Sequence, residues 1–182
     1  MINRETERLI IRNFTLEDLE DMLEISKQYE KTEMAQYDQE FPQTAEGMKE
    51  VMGFLSSGDS FAAIVLKEKP KVIGLVQFQR KSKIIDEIVH GFGYIFNSDY
   101  QGKGYATEAC KNILAYLFEE LKIDKTTAGT AAVNASSRKL LKKLGFKEIS
   151  QKTTHFRKNA EGIPIEFQSV IYELSACDWS DE

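Results

Sequence analysis

The residues best placed to do chemistry form one stretch, Asn97-Ser98-Asp99-Tyr100-Gln101-Gly102-Lys103-Gly104-Tyr105-Ala106-Thr107-Glu108-Ala109. Small residues let a backbone approach a ligand closely. Where such a loop opens a helix, the free N–H groups of the first turn carry partial positive charge and make an anion site. Lys103 adds a full charge. Two nucleotide motifs fail here. A P-loop needs G-x-x-x-x-G-K-[ST], but Gly104 follows Lys103 and Asn97 stands in the first glycine place. The dinucleotide fingerprint G-x-G-x-x-G meets Thr107 in its third glycine place, and the Gly91-Phe92-Gly93 start ends on Phe96. On spacing alone, a glycine-rich helix entry that binds nothing explains the loop equally well.

The loop needs a strand before it and a helix after it. The run 84–96 (IIDEIVHGFGYIF) supplies an apolar, aromatic strand, with Gly91 and Gly93 marking a bulge or a close backbone approach. From 104 the period changes: Ala106, Ala109, Cys110, Ile113, Leu114, Leu117, Phe118 and Leu121 follow i, i+3, i+4, i+7, which predicts a helix over 104–121. Around this unit the pattern predicts a short strand within 6–12, and a helix over 16–29 capped by Thr15 with Asp18 three residues on. Residues 30–43 read as a loop, and Thr44 caps a second helix over 44–56. Strands at 60–67 and 71–79 flank the hairpin turn Lys67-Glu68-Lys69-Pro70. A strand near 124–132, a helix over 134–144 ended by Gly145, and strands at 147–157 and 164–174 complete the chain. That order indicates a single α/β domain spanning 1–182, with a mixed, largely antiparallel sheet.

Gln101-Gly102-Lys103-Gly104-Tyr105-Ala106 resembles the Q/R-x-x-G-x-G/A pyrophosphate loop of the GNAT (Gcn5-related) N-acetyltransferases. Ala106-Thr107-Glu108-Ala109, TERLIIRNFTLEDLE at 6–20, and Asn134-Ala135-Ser136-Ser137 with Leu144-Gly145-Phe146 resemble the RimJ/RimL-like branch, in order and spacing. The likeness covers essentially the whole chain. It implies about seven strands and four helices, with a V-shaped splay between the central parallel strands at 84–96 and 124–132. It implies acetyl-CoA as cosubstrate and no metal. The pyrophosphate would lie on the amides from Gly102 to Thr107, and the pantetheine beside the backbone of Tyr94, Ile95 and Phe96. An amide of that stretch would hold the developing oxyanion, a contact worth about 3–4 kcal/mol.

Direct acetyl transfer needs a neutral amine, a held oxyanion and a leaving thiolate. A lysine-like amine with pKa near about 10.4 needs a base, whereas an α-amine near about 8 is partly neutral at pH 7. His90 falls where several GNAT enzymes carry a glutamate base; the plainer account is a satisfied or exposed histidine. Glu87 is the next candidate, with a solvated carboxylate as its plainer account. The family's tyrosine acid would sit at 141, which here is Leu141, whereas Ser137 matches the serine assigned to protonate CoA in RimL-like enzymes. Ser137 is also placed to be only a local cap, and Asn134 both to cap its helix and to contact pantetheine.

The acceptor site is expected between residues 16–57, the strand at 84–96 and the closing hairpin near 157–164. Glu30, Glu33, Asp38 and Glu40 there would attract a cationic acceptor or be merely solvated. Cys110 falls on the apolar stripe, Cys177 and Trp179 lack a partner motif, and His155 has no metal-ligand spacing with His90. Arg138, Lys139, Lys142 and Lys143 form a basic face, solvated or near the CoA 3′-phosphate.

The chain has 182 residues, with 24 basic and 29 acidic side chains and a net charge of −5, which disfavours a phosphate-backbone partner. No apolar run approaches the roughly 20 residues that cross a bilayer, and the polar start MINRETER is unlike a signal peptide. The expectation is therefore a cytoplasmic monomer or homodimer with neither nucleic-acid nor membrane partners. Its acceptor would be a small-molecule amine or a protein N-terminus. The rival expectation is a non-catalytic acyl-CoA-binding or sensory module on the same fold.

Overall fold

Period-two apolar runs and capping residues set the elements, seen in a computed structural model that describes residues 1–84 and 87–180. Ile85 and Asp86, inside the 84–96 run, lie outside the described residues. The elements are β1 (Asn3–Glu5), β2 (Leu9–Arg12), α1 (Leu19–Tyr29), α2 (Ala45–Ser56), β3 (Phe61–Leu66), β4 (Lys71–Gln77) and β5 (Arg80–Ile84). After them come β6 (Glu87–Gly91), β7 (Gly93–Phe96), α3 (Tyr105–Ala115), β8 (Lys125–Ala131), α4 (Ala135–Lys143), β9 (Lys147–Thr154) and β10 (Phe167–Ser175).

Among the described residues the strands form two five-stranded sheets, ordered β1-β2-β3-β4-β7 and β5-β6-β8-β10-β9. One long hairpin passes through both. Gln77 opposes Gly93 and Arg80 opposes His90 in a single antiparallel register, and the Gly91 N–H donates to the Gln79 carbonyl at 2.7 Å. The only parallel pairing among the described residues joins β6 to β8, with His90 opposite Thr126 and Gly91 opposite Thr127. Phe92 N–H then reaches the Thr127 carbonyl at 2.8 Å. Past that bond β7 keeps β4 as its neighbour while β8 pairs with β10, so the two strands part. This is the splay that the family resemblance implies.

Among the described residues the four α-helices match the reading of the sequence, and the strands number ten where about seven were expected. β1 and the opening of β5 are polar and carry no apolar period, and the 84–96 run is divided between two sheets around Phe92. Alternation assigns the faces. Val76, Phe78, Phe92 and Tyr94 pack with α3 and α4, whereas Leu75 and Ile95 pack with α1 and α2. Cys110, Ile113, Leu114 and Leu117 of the α3 stripe are fully buried, each aliphatic contributing about 1.5–3 kcal/mol. Leu121 instead stands 41% exposed, because a π-helical turn over Tyr116–Glu120 rotates the chain off the stripe.

At the entry to α1, the Thr15 N–H donates to the Asp18 carboxylate at 2.8 Å, the expected box. Arg12 adds a two-pronged bond to the same carboxylate, 2.7 Å on each side, which sequence spacing alone does not announce. Burial alone would raise the Asp18 carboxyl, but the bonds from Arg12 and Thr15 outweigh it and hold the group below its ordinary value. Among the described residues no helix is long and apolar enough to cross a membrane.

Candidate active site

Gly102 and Gly104 sit at φ +73° and +85°, the left-handed region that glycine enters without strain. Beyond its own chain neighbours, no atom among the described residues lies within 4 Å of where a Cβ at Gly102 would stand. Gly104 is the N-cap of α3 with no side-chain cap, which leaves the first-turn amides for a ligand. The loop is tied down around its rim. Asn97 is fully buried, accepts from the Asp99 N–H at 3.0 Å and donates to Glu24 at 2.8 Å, joining the end of β7 to α1. Gln101 donates to the Phe96 carbonyl at 3.0 Å. The Lys103 ammonium folds back, donating to the Asp99 carbonyl at 2.8 Å and lying 5.3 Å from the Tyr100 ring centre.

A second set of bonds holds the loop to the N-terminal turn. Glu108 accepts from Thr6 Oγ1 at 2.5 Å, the Arg8 N–H at 3.0 Å and Arg8 Nε at 2.7 Å. Arg8 also donates to the Lys103 carbonyl at 3.0 Å, and its guanidinium lies 4.4 Å over the Tyr105 ring. Burial opposes the Glu108 charge, but the bonds from Thr6 and Arg8 prevail and lower its pKa. Sequence reasoning missed Arg8, because a partner 100 residues away leaves no local signal.

On the α4 side of the splay, the Tyr94 hydroxyl lies 3.0 Å from Ser137 Oγ and 3.2 Å from the Ser137 carbonyl. Asn134 sets this geometry by accepting from the Ser137 N–H at 3.1 Å, so its capping role is present. Burial pushes the Tyr94 phenol upward, so it stays protonated. The side chain of Tyr94 is a candidate functional group that the sequence reading passed over. Leu141, where a family tyrosine was sought, is a core residue 1% exposed. Strand alternation was the available signal, since Tyr94 shares the α4-facing parity of Phe92.

His90 Nδ1 lies 2.7 Å from the Phe78 carbonyl. A carbonyl only accepts, so Nδ1 carries the hydrogen and Nε2 the lone pair. Burial lowers the His90 pKa, Arg80 adds to that, and the Phe78 bond opposes it. Glu87 is held by Lys125 at 2.8 Å in a surface ion pair. Among the described residues, no hydrogen bond joins His90 or Glu87 to the Tyr94–Ser137 pair. Arg138 leaves the basic face of α4, bonding Tyr172 at 3.1 Å, the Ala132 carbonyl at 3.1 Å and Glu148.

The expected acceptor walls meet through Arg157. It donates to both Glu30 oxygens at 2.7 and 2.8 Å, to the Asp38 carbonyl at 2.7 Å and to the Gln39 carbonyl at 2.8 Å. Tyr29 donates to Asp38 at 3.1 Å, and Tyr37 packs 5.1 Å from Phe167. Of the four acids read as a cation lure, Glu30 and Asp38 are therefore engaged in the wall itself. Beneath them lies an apolar pocket of about 20 Å³, bounded by Tyr29, Phe41, Leu75 and Ile95.

Residues 8–147 match the family model described as acetyltransferase (GNAT) domain. N-acetyltransferase YnaD of Bacillus subtilis (strain 168) is 30% identical over 144 residues, 78% of this chain and 81% of that protein. N-acetyltransferase p20 of Bacillus licheniformis is 30% identical over 153 residues, 79% and 81%. Among solved structures, a GNAT-family acetyltransferase from Bacillus anthracis superposes with a TM-score of 0.78 at 24% identity, covering 96% of this chain and 99% of that one. The ribosomal-protein-S5-alanine acetyltransferase of Vibrio fischeri gives 0.77 at 20%, covering 99% and 100%. These two structures share the fold, and the family model and the two relatives carry the assignment: the chain belongs to the GNAT acetyltransferases and is an acyltransferase.

Proposed function

We propose that the chain moves the acetyl group of acetyl-CoA directly to a primary amine within a ternary complex. One observation carries this reading. The opening between β7 and β8 has an uncapped glycine loop at its outer end and the Tyr94–Ser137 pair on its wall. The loop suits a pyrophosphate, with Gln101, Gly102, Lys103, Gly104, Tyr105, Ala106 and Thr107 lining it, and the freed edge of β7 at Tyr94, Ile95 and Phe96 suits an amide-bearing pantetheine arm.

The amine must arrive neutral or lose a proton. His90 Nε2, held as the free lone pair and neutral at pH 7, takes that proton directly or through water. A β7 amide holds the oxyanion. Ser137 then donates a hydrogen bond to the departing sulfur. A serine hydroxyl is a much weaker acid than a thiol of pKa about 8.5, so the bond stabilises thiolate without full proton transfer. The acceptor enters on the α1–α2 side, between the Arg157-bound loop and Ile95. A protein N-terminal α-amine and a small-molecule amine both fit this scheme. The Vibrio fischeri neighbour makes N-terminal peptides the first arm of the test.

The test is free-thiol release from acetyl-CoA across a panel of N-terminal peptides and small amines. Acceptor-dependent thiol is expected; none across the panel overturns the reading, whereas a thermal shift with acetyl-CoA but no thiol would favour a binding module.

A further inference from the structure

Lys81 is placed by an irregularity in the ladder. Arg80 opposes His90 and Ser82 opposes Val89, so Lys81 is the extra residue of a bulge. Bulges re-aim side chains. Here the stem lies across Gly91, where an added Cβ would come 2.8 Å from Lys81 Cε and 3.5 Å from Cδ. The ammonium reaches Thr127 Oγ1 at 3.0 Å. Gly91 and Thr127 are register partners, and the Thr127 carbonyl accepts the Phe92 N–H, the last bond before β7 and β8 part. The Lys81 amine thus sits at the closed end of the opening, on the strand face opposite Tyr94. Burial and the charge of Lys152 lower its pKa, which favours the neutral, nucleophilic form.

The glycine loop lies beyond the other end of β7. A donor anchored there by its phosphates extends its thioester end toward this apex. We propose that Lys81 is an internal acetyl acceptor, modified by acetyl-CoA held in the same opening. The lone pair of neutral Nζ attacks the thioester carbonyl carbon. The N–C bond forms, the C–S bond breaks, and sulfur leaves with the electron pair. The nitrogen gives one proton to water and the thiolate takes one from water, leaving Nε-acetyl-lysine and CoA thiol. No further reactant is needed. This inference rests on the acetyl-CoA reading of the site.

The test incubates the whole chain with isotopically labelled acetyl-CoA and no acceptor, and maps acetylated lysines over time by mass spectrometry. Lys81 is expected to label at least about tenfold faster than exposed Lys139 and Lys142, because a held donor raises effective concentration. Excess CoA should slow Lys81 and leave the other lysines unchanged. Thr127→Val removes the anchoring hydroxyl and Gly91→Ala displaces the stem, and each should lower Lys81 labelling selectively. Labelling of Lys81 at the rate of the other lysines, or labelling indifferent to CoA, overturns the inference. If acetyl-CoA binds and an external amine releases thiol while Lys81 stays unmodified, this inference alone fails. If acetyl-CoA gives no thermal shift, the proposed function fails and takes the inference with it.

Discussion

Tyr94 and Ser137 come from a strand and a helix, and one 3.0 Å contact makes them a unit. The phenol keeps its proton, and in the proposed scheme it positions the serine that donates to sulfur. Ser137→Ala should lower kcat about ten- to a hundredfold, the scale of a lost hydrogen bond to a charged group. Tyr94→Phe should cost less, and adding it to Ser137→Ala should cost nothing more. Additive losses in steady-state kinetics would separate the pair. His90 makes a prediction about pH. Its folded pKa lies below 6.5, so Nε2 remains a base down to more acid pH than a free imidazole would. By the same sign, its neutral folded form favours the native state above 6.5, and that contribution is lost as pH falls through the folded value. With one acceptor for both proteins, the wild-type rate should show an acid limb below pH 6.5 that is absent in His90→Gln. A limb that survives the substitution removes His90 as the base.

At the scale of elements, the glycine loop was legible because its chemistry is local: two glycines at positive φ, a helix start and a strand end all lie within 93–105. Gly104→Glu puts both a strained backbone and a like charge into the proposed anion site, and should abolish the thermal shift with acetyl-CoA; a retained shift would move the phosphate site elsewhere. What holds the loop was not legible. Glu108 reads as one more helix-surface acid until the fold brings Thr6 and Arg8 to it. Glu108→Gln weakens that tie without touching the loop residues, so KM for acetyl-CoA should rise severalfold with kcat kept. The division of 84–96 was equally hidden. Gly91 and Gly93 mark an irregularity, but only the loss of β8 as a neighbour past Phe92 shows that the run divides there. Ser137 could be singled out by motif, whereas Tyr94 needed the strand face that packing defines.

For the whole molecule, the Arg157–Glu30 clamp ties together the walls of the proposed acceptor side. It joins residues 127 apart, and both side chains are largely buried, at 13% and 16% exposure. One guanidinium satisfies a carboxylate and two backbone carbonyls, which a lysine's single ammonium cannot reproduce. Arg157→Gln should therefore raise KM for the acceptor while leaving acetyl-CoA binding intact, since the glycine loop has separate ties. Arg157→Lys should rescue little. The Arg157 bond, against some opposition from burial, holds the Glu30 carboxyl below its ordinary 4.5. A lowered carboxylate pKa stabilises the fold above the unfolded value, and that contribution is lost as pH falls through the folded one. The Tm gap between wild type and Arg157→Gln should thus be fully present above pH 4.5 and close in more acid solution. A gap unchanged across that window would mean that Arg157 acts through the Asp38 and Gln39 carbonyls, with Glu30 a bystander.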